Sequence, residues 1–250
     1  MAVIDLNSDL GEWELGDETG DDAALFGIVT SANVACGFHA GGPESMLASA
    51  RLAAERGVAL GAHPSYRDRE GFGRRDRDVD VGTLIADILE QVEALTLAAK
   101  ASATRVLYLK PHGALYNRIA VDSAQADAVA LAAKDANLPL LGLSGTDIHA
   151  AANRHGVQFF GEAFVDRAYL PDGRLAPRSI VGAVLRDPVE AAERACHMVL
   201  DGTVLAIDGT VLRVDIDSLC VHGDTPGALE MATLVRQQLL DAGVELRAFA

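Results

Sequence analysis

Apolar and oxygen-bearing side chains alternate at the start of the chain, over residues 3–9. Because successive side chains of a strand point to opposite faces, this period of two predicts a strand with Asp5, Asn7 and Asp9 on one face. Three such side chains are costly inside a core unless they bind something, although they would be ordinary on a solvent-exposed edge strand. The pattern therefore predicts either a ligand-binding strand or an edge strand.

Short apolar runs recur along the rest of the chain, and most of them end in titratable residues before a helical pattern begins. The runs cover residues 28–35, 58–62, 105–109, 138–143, 157–160 and 218–221. About seven strand candidates, most followed by a helix, predict a parallel sheet with covering helices. Because the reaction centre of such a sheet lies at the carboxyl ends of its strands, we expect one catalytic site there. Its candidate catalytic residues are Asp9, His39, His63, Lys110, His112, Glu162, Asp166 and His222.

Helical patterns with recognisable ends separate these runs, and the clearest keeps an apolar face from Val81 to Leu95. The other predicted helices run from Pro43 to Gly57, onward from Asp122, between Thr146 and Gly156, from Asp187 to Gly202, and from Thr225-Pro226 to Gly243. The helix that starts at Asp187 has a predicted core stripe of Val189, Ala192, Cys196 and Val199. Residues 204–214 predict a hairpin that turns at Asp208-Gly209. Residues 13–27, 65–80 and 170–186 have the composition of loops.

Composition narrows the class of protein. Half of the 250 residues are hydrophobic and only 5% are aromatic, which suits helices packed on short strands in a single domain over residues 1–250. No apolar run approaches the roughly 20 residues of a membrane span, and no signal peptide opens the chain. The net charge of -15 argues against a nucleic-acid partner. Three cysteines without metal-site spacing fit a reducing compartment, so we expect a cytoplasmic protein.

Several features suit an anionic ligand. Gly41 and Gly42 stand just before the helix that starts at Pro43, where backbone N–H groups and the helix dipole favour an anion. Arg74 and Arg75 lie in the glycine-hinged loop over residues 65–80 and could close over the site. For a general base we expect Asp9 or a neighbouring histidine, and for a cation Lys110.

A metal site is an open alternative at these strand ends. Asp9, His39 and His63 are suitable ligands for a divalent metal that activates water, but their spacing is too dispersed for the sequence to define a site. The chain also lacks the Gly-x-x-x-x-Gly-Lys-Ser/Thr loop that cradles nucleotide phosphates.

The motifs together resemble a known family. They are Asp5-Leu6-Asn7-x-Asp9-x-Gly11-Glu12, Asn33-x-Ala35-Cys36-Gly37-x-His39-Ala40-Gly41, His63-Pro64 with Gly71-Phe72-Gly73-Arg74-Arg75, Lys110-Pro111-His112-Gly113-Ala114-Leu115-Tyr116, Glu162-x-Phe164-x-Asp166-Arg167-x-Tyr169 and His222-Gly223-Asp224. This set is similar to the LamB/YcsF family over essentially the whole chain. The resemblance implies a seven-stranded, distorted parallel β/α barrel like those of glycoside hydrolases and deacetylases. Its candidate substrate- or anion-binding residues are Asn7, Asn33, Gly41, Gly42, Arg74, Arg75, Arg167 and Tyr169.

The resemblance also implies a function. It is that of a hydrolase subunit of an ATP-dependent 5-oxoprolinase, which cleaves 5-oxo-L-proline to L-glutamate together with subunits B and C. Because the chain lacks a phosphate loop, we expect the partners to bind most of the ATP. Two other functions stay open: a stand-alone metal-dependent deacetylase or amidohydrolase, and a non-catalytic subunit that only binds the lactam. Whether a divalent metal is bound and whether the chain forms a homo-oligomer are likewise open.

Overall fold

A computed structural model of the chain describes residues 1–13, 22–223 and 227–250. The strands are β1 (Val3–Leu10), β2 (Ser31–Ala35), β3 (Ala59–His63), β4 (Val106–Leu109), β5 (Leu140–Gly142), β6 (Phe159–Phe164), β7 (Thr203–Leu205), β8 (Val211–Arg213), β9 (Ser218–His222) and β10 (Glu245–Leu246). The helices are α1 (Asp22–Leu25), α2 (Pro43–Arg56), α3 (Val81–Ala101), α4 (Gly113–Arg118), α5 (Ser123–Asp135), α6 (Asp147–His155), α7 (Pro188–Cys196) with a π-helical turn (His197–Asp201), and α8 (Ala228–Asp241).

Seven parallel strands close into a barrel in the order β1-β2-β3-β4-β5-β6-β9. Closure comes from β9, which pairs with β6 on one side and with β1 on the other, so that Asp9 stands opposite His222. Helices α2, α3, α5, α6, α7 and α8 pack around the strands. The structure thus confirms the predicted seven-stranded parallel β/α barrel.

Strand β1 is a central strand, so the edge-strand interpretation is wrong. It pairs with β2 and β9 along its length, and every residue from Ile4 to Leu10 is buried. Its alternation separates Leu6 and Leu10, which join the large hydrophobic core, from the polar side chains that point into the barrel. Those polar side chains are Asp5, Asn7 and Asp9, as the period of two predicts.

The predicted helices are present, with differences at their faces and ends. Asp80 and Asp122 cap α3 and α5 through side-chain hydrogen bonds, and Gly57 ends α2 in a left-handed conformation. The stripe predicted for α7 is displaced, because Val189 in the first turn is 51% exposed and the π-helical turn changes the phase of the helix. The residues that α7 and this turn bury are Ala191, Ala192, Ala195 and Met198. The cap predicted at Thr225-Pro226 lies outside the described residues, and Gly227 stands at the start of α8.

The predicted hairpin exists as β7 and β8, which pair in antiparallel fashion. Three elements have no sequence prediction: α1 within the predicted loop, α4 after Lys110, and β10 near the C-terminus. Strand β6 also runs further than the apolar run predicts, so Glu162 lies within a strand rather than after it. The reason is that the barrel interior accepts this carboxylate, which meets Lys110 there.

The C-terminal segment fills the amino-terminal end of the barrel. Strand β10 pairs with the first residues of β1, and Phe249 packs with its ring centroid 4.9 Å from that of Tyr108 and 4.6 Å from that of Phe160. The Tyr108 hydroxyl donates to Asn33 Oδ1 inside the barrel. This end is therefore plugged by aromatic side chains. None of the helices in the described ranges is long and apolar enough to cross a membrane.

Candidate active site

A cavity of about 410 Å³ opens at the carboxyl ends of the barrel strands. Of the predicted site residues, Asp9, His63, Arg74, Lys110, His112, Arg167 and His222 line it. Beneath the lining lie Asn7, Asn33, Glu162 and Asp166, which hydrogen-bond to one another or to lining residues. His39 stacks on His112, with their ring centroids 3.8 Å apart. All four histidines predicted at strand tips therefore lie at one end of the barrel.

Lys110 is the charged centre of the cavity floor. Its Nζ lies 2.9 Å from Asp9 Oδ1, 2.9 Å from Glu162 Oε1 and 3.2 Å from Cys220 Sγ, and its side chain is 1% exposed. Burial alone would lower the pKa of Lys110, but the Asp9, Cys220 and Glu162 side chains outweigh it and raise that pKa well above its ordinary value. The lysine is therefore a permanent cation held by two carboxylates.

Asp9 joins this lysine to the histidines. Its Oδ1 accepts hydrogen bonds from Lys110 and from Asn33 Nδ2, while its Oδ2 lies 3.3 Å from His63 Nε2. Burial raises the pKa of Asp9, yet His63 and Lys110 together hold it well below the ordinary range. Asp9 is thus ionised, and its Oδ2 side faces the cavity and His63.

Hydrogen bonds fix the tautomers of three histidines. His39 Nδ1 lies 3.0 Å from Ser65 Oγ, and that hydroxyl donates to the carbonyl of Tyr66, so the ring nitrogen is the donor. His63 Nδ1 donates to the carbonyl of Lys110 at 2.8 Å. His112 Nε2 donates to the carbonyl of Phe72 at 2.9 Å in the same way. In the neutral form of each ring, the other nitrogen therefore carries a lone pair.

The lone pairs of His63 and His112 point toward each other. His63 Nε2 lies 3.0 Å from His112 Nδ1, and His39 Nε2 has no hydrogen-bond partner among the described residues. Burial and the neighbouring histidines keep the pKa values of His39 and His112 well below the ordinary range, so both rings are neutral at pH 7. Two lone pairs 3.0 Å apart repel each other, so the contact requires a proton or a cation between them.

The cluster that could hold a metal differs from the predicted trio. Ligand atoms of Glu12, His39, His63 and His112 all lie within 4.8 Å of one another. Glu12 Oε1 is 3.4 Å from His39 Nε2 and 3.6 Å from His112 Nδ1, close to the roughly 3.4 Å edge of a tetrahedral zinc site with ligand bonds of about 2.1 Å. Asp9 belongs instead to a second group of possible ligands, with Cys220 and His222, and Lys110 and Asn33 already hydrogen-bond to its Oδ1.

The ring orientations restrict that site. The rings of His39 and His112 are parallel within 4°, so one ion cannot lie in the planes of both rings unless one of them turns. His63 and His112 are nearly perpendicular, at 85°, which suits a shared ion. The donors present therefore fit a divalent cation held by Glu12, His63 and His112.

A second imidazole–carboxylate pair stands across the cavity floor. His222 Nδ1 lies 2.9 and 2.8 Å from the two oxygens of Asp166, and the His222 ring stacks on Phe164. Burial raises the pKa of Asp166, but His222 and Arg167 outweigh it and keep that pKa below its ordinary value. Since Nδ1 is held by the carboxylate, Nε2 is the atom of His222 left to exchange a proton with a molecule in the cavity.

Some predicted residues lie elsewhere. Gly41 and Gly42 border a separate surface hollow beside Trp13, and the N–H of Gly42 donates to Ser45 Oγ within the cap of α2. Arg75 pairs with Asp68 and Glu70 outside the cavity lining. Tyr169 is buried, where its hydroxyl accepts from the backbone N–H of Phe164.

Sequence reasoning missed three charged residues at the cavity. Glu12, Arg174 and Arg178 line it without having been proposed as site residues. For Glu12 a signal existed, because it closes the first motif, two residues after β1. The two arginines lie in the loop over residues 170–186, whose composition carries no comparable signal.

Comparisons with known proteins agree with the motifs. The sequence profile described as the LamB/YcsF family matches residues 4–250. The chain belongs to this family. A protein of Mycobacterium avium (strain 104), named as the A subunit of 5-oxoprolinase, is 54% identical over 100% of both chains, and one of the same name from Paracidovorax citrulli is 55% identical over 99% of both.

Solved structures place this LamB/YcsF chain among related barrels. The crystal structure of a lactam utilization protein from Thermus thermophilus matches with a TM-score of 0.93 and 46% identity, covering 99% of this chain and 100% of that one. A polysaccharide deacetylase from Bacillus cereus matches with a TM-score of 0.51 at 8% identity, covering 100% of this chain and 93% of that one. The second likeness concerns the fold alone.

Proposed function

We propose that this chain is the subunit of an ATP-dependent 5-oxoprolinase in which the lactam ring of 5-oxo-L-proline is opened to give L-glutamate. The observation that carries the proposal is the pair of carboxylate–imidazole couples at the cavity floor, Asp9 with His63 and Asp166 with His222, on either side of a buried lysine. Relatives named for the A subunit of 5-oxoprolinase, more than 50% identical over their full length, support the choice of substrate.

The chemistry explains the need for two such couples. A five-membered lactam is an unstrained amide and a poor electrophile, so phosphorylation of its carbonyl oxygen by ATP would activate the ring carbon. Water then adds to that carbon and loses a proton to a base. The C–N bond breaks as the nitrogen gains a proton, which leaves an acyl phosphate. Hydrolysis of this acyl phosphate by a second water releases phosphate and L-glutamate. Asp9 with His63 or His112 serves as the base, and His222 Nε2 serves as the acid toward the nitrogen.

ATP itself is assigned mainly to the partner subunits B and C. The chain has no phosphate-binding loop of the Gly-x-x-x-x-Gly-Lys-Ser/Thr type. The cavity therefore receives the activated lactam or works jointly with a partner that presents the nucleotide. On this proposal the isolated chain neither hydrolyses ATP nor opens 5-oxoproline.

A divalent cation belongs to the proposal as an additional component. Glu12, His63 and His112 would hold it, in which case Asp9 alone remains as the base, and when bound it would supply a Lewis acid for water or a carbonyl oxygen. Metal analysis of the purified chain and of His112→Ala tests this component without reference to turnover. We expect the wild-type chain to retain about one equivalent of a divalent metal and the variant to lose it. Equal retention in both chains would remove the cation from the proposal.

The histidine cluster also favours a second candidate function, a stand-alone metal-dependent deacetylase or amidohydrolase. The convergence of three imidazoles and Glu12 is the observation in its favour. The two functions differ in their requirements: the deacetylase needs only metal, whereas the oxoprolinase needs the partners and ATP. Release of acetate from acetylated sugars by the metal-loaded chain alone would favour the deacetylase.

Reconstitution with subunits B and C tests the proposal. Glutamate release from 5-oxoproline should require all three subunits and ATP, and Asp9→Ala and His112→Ala should each lower it by about 10²–10⁴-fold, the usual contribution of a positioned base. His155→Ala and His197→Ala are matched controls, because both histidines pair with aspartates on the helical surface away from the cavity. Circular dichroism checks folding. Wild-type turnover in both site variants would refute the assigned site.

A further inference from the structure

We propose that the wall of the cavity carries an oxyanion subsite built by Arg167 and Arg178, which receives a phosphoryl or carboxylate group of the substrate. That the phosphoryl group is the one carried by an activated lactam rests on the proposed function. The subsite itself is inferred from the charges that meet in the cavity.

The concentration of guanidinium groups is the first observation. Arg74, Arg167, Arg174 and Arg178 all line the one cavity, although the chain carries 36 acidic against 21 basic Lys and Arg residues. The two carboxylates in the same lining, Asp9 and Glu12, belong to the lysine and histidine clusters at the floor. Gathering like charges on a cavity wall is unfavourable unless an anion neutralises them.

Arg167 shows this lack of compensation most clearly. It is 5% exposed, and its guanidinium donates to the carbonyls of Ala176 and Ala183 at 2.6 and 3.3 Å. Within the described part of the chain it forms no salt bridge. Burial and the nearby Arg178 lower the pKa of Arg167 to about 10, although Asp166 acts in the opposite direction. Arg167 is thus a buried cation whose side-chain hydrogen bonds in the described ranges all go to carbonyl groups.

The neighbouring arginines differ in their partners. Arg174 is neutralised by Asp172, whose carboxylate lies 2.6 Å from its Nη2, so we exclude it from the subsite. Arg178 pairs with no carboxylate in the described ranges and lines the cavity. Arg74 lies over the ring of Phe72, 4.9 Å from its centroid, and we exclude it as well because it is already engaged. The subsite is therefore formed by Arg167 and Arg178, which both lie between β6 and α7.

Lys110 cannot bind an incoming anion in the same way. Its Nζ is saturated by Asp9, Glu162 and Cys220, so an incoming anion would have to displace a carboxylate at 2.9 Å. The planar guanidinium group matches the oxygens of phosphate or carboxylate with two parallel hydrogen bonds. Two such groups can bind either a phosphoryl group or a carboxylate.

Calorimetric titration of the isolated full-length chain tests the subsite without partners, ATP or turnover. The probes are inorganic phosphate and, separately, 5-oxoproline, which carries a carboxylate only. Arg178→Gln should weaken binding of the probe by about tenfold to a hundredfold, the cost of a lost charged hydrogen bond. Arg154→Gln is the matched control, because Arg154 pairs with Asp127 on the surface and should leave binding unchanged. Binding should also weaken with added salt.

The two probes identify the source of the oxyanion. A selective loss of phosphate binding in Arg178→Gln assigns the subsite to a phosphoryl group, and a selective loss of 5-oxoproline binding assigns it to the substrate carboxylate. Wild-type chain that binds neither probe at millimolar concentration, or equal binding by Arg178→Gln and Arg154→Gln, overturns the proposal. Phosphate binding without any glutamate release from the reconstituted complex would instead uphold the subsite and refute the proposed function.

Discussion

Replacing Lys110 by methionine tests the charge network of the barrel floor. The substitution keeps a long, apolar stem but removes the ammonium group that lies 2.9 Å from both Asp9 and Glu162, leaving two buried carboxylates. Removing one member of a buried ion pair costs about 3–5 kcal/mol, because the remaining charge has lost its compensation. We expect Lys110→Met to lower the free energy of unfolding by about that amount at pH 8.

The loss should depend on pH. In the wild-type chain the pKa of Asp9 is held low, so its contribution to stability is present above the unfolded-state pKa of about 3.9 and is lost as the pH falls through the lower folded-state value. Without Lys110 the folded-state pKa of Asp9 rises, and the folded protein then takes up a proton on acidification. The difference between wild type and variant should therefore be smaller at pH 5.5 than at pH 8.

Urea denaturation followed by far-UV circular dichroism measures both quantities on the isolated chain. Lys134→Met is the matched control, because Lys134 is exposed on α5 and its replacement should change stability by no more than about 0.5 kcal/mol. Adding Glu162→Gln to Lys110→Met should recover part of the loss. A loss below about 1 kcal/mol at pH 8, or one that is equal at both pH values, would refute the network.

Three further predictions concern the barrel interior. Burial, only partly offset by hydroxyl donors, raises the pKa of Asp5 to about 6. The folded chain therefore binds an extra proton between about pH 4 and 6, and it loses about 3 kcal/mol of stability as the pH rises through that window. Asp5→Asn should remove this dependence of stability on pH in urea titrations, and an unchanged dependence would contradict the prediction. Gly61→Ala would place a Cβ atom 2.2 Å from the Tyr108 ring and should cost about 1–3 kcal/mol, whereas Gly82→Ala in the first turn of α3 should be neutral or stabilising in the same urea titrations. Phe249→Ala should lower the melting temperature while leaving phosphate binding unchanged, because the ring packs at the end of the barrel away from the cavity; altered phosphate binding would show that the two ends are coupled.

The carboxyl ends of the strands are predictable from the sequence because local chemistry marks them. Pro64 and Pro111 follow His63 and Lys110 directly, and proline cannot continue a central strand, so each strand must end there. Parallel pairing then brings the tips together without further information. This is why the positions of His63 and His112 follow from the sequence.

Partners inside the barrel could not be predicted in the same way. Glu162 accepts a hydrogen bond from Asn7, which lies 155 residues earlier in the chain, and no local pattern reports such a contact. A polar residue after an apolar run therefore reads as the end of a strand, although β6 continues to Phe164. The direction of the Glu12 side chain could not be predicted because of the preceding glycine. Gly11 has a φ of 72°, which ends the alternation of side chains along β1.

The glycine-rich turn before α2 illustrates a different limit. Its composition predicts a helix N-terminus able to bind an anion, and α2 does begin at Pro43 with Gly42 as its cap. The direction in which that N-terminus faces depends on how α2 packs outside the barrel, and it opens on another surface hollow. Sequence motifs thus locate a helix start more reliably than they locate the ligand it would face.

Within the described ranges, the aromatic plug formed by Tyr108, Phe160 and Phe249 closes the end of the barrel opposite the cavity. On the proposed function, the substrate would enter and the products would leave through the same cavity mouth, so a product that has not yet left would block the next substrate. A partner protein bound over the cavity mouth would control both substrate entry and product release, and it would have to move away once in each catalytic cycle. Residues 245–249 lie at the opposite end of the barrel, so changes there would not obstruct the cavity mouth.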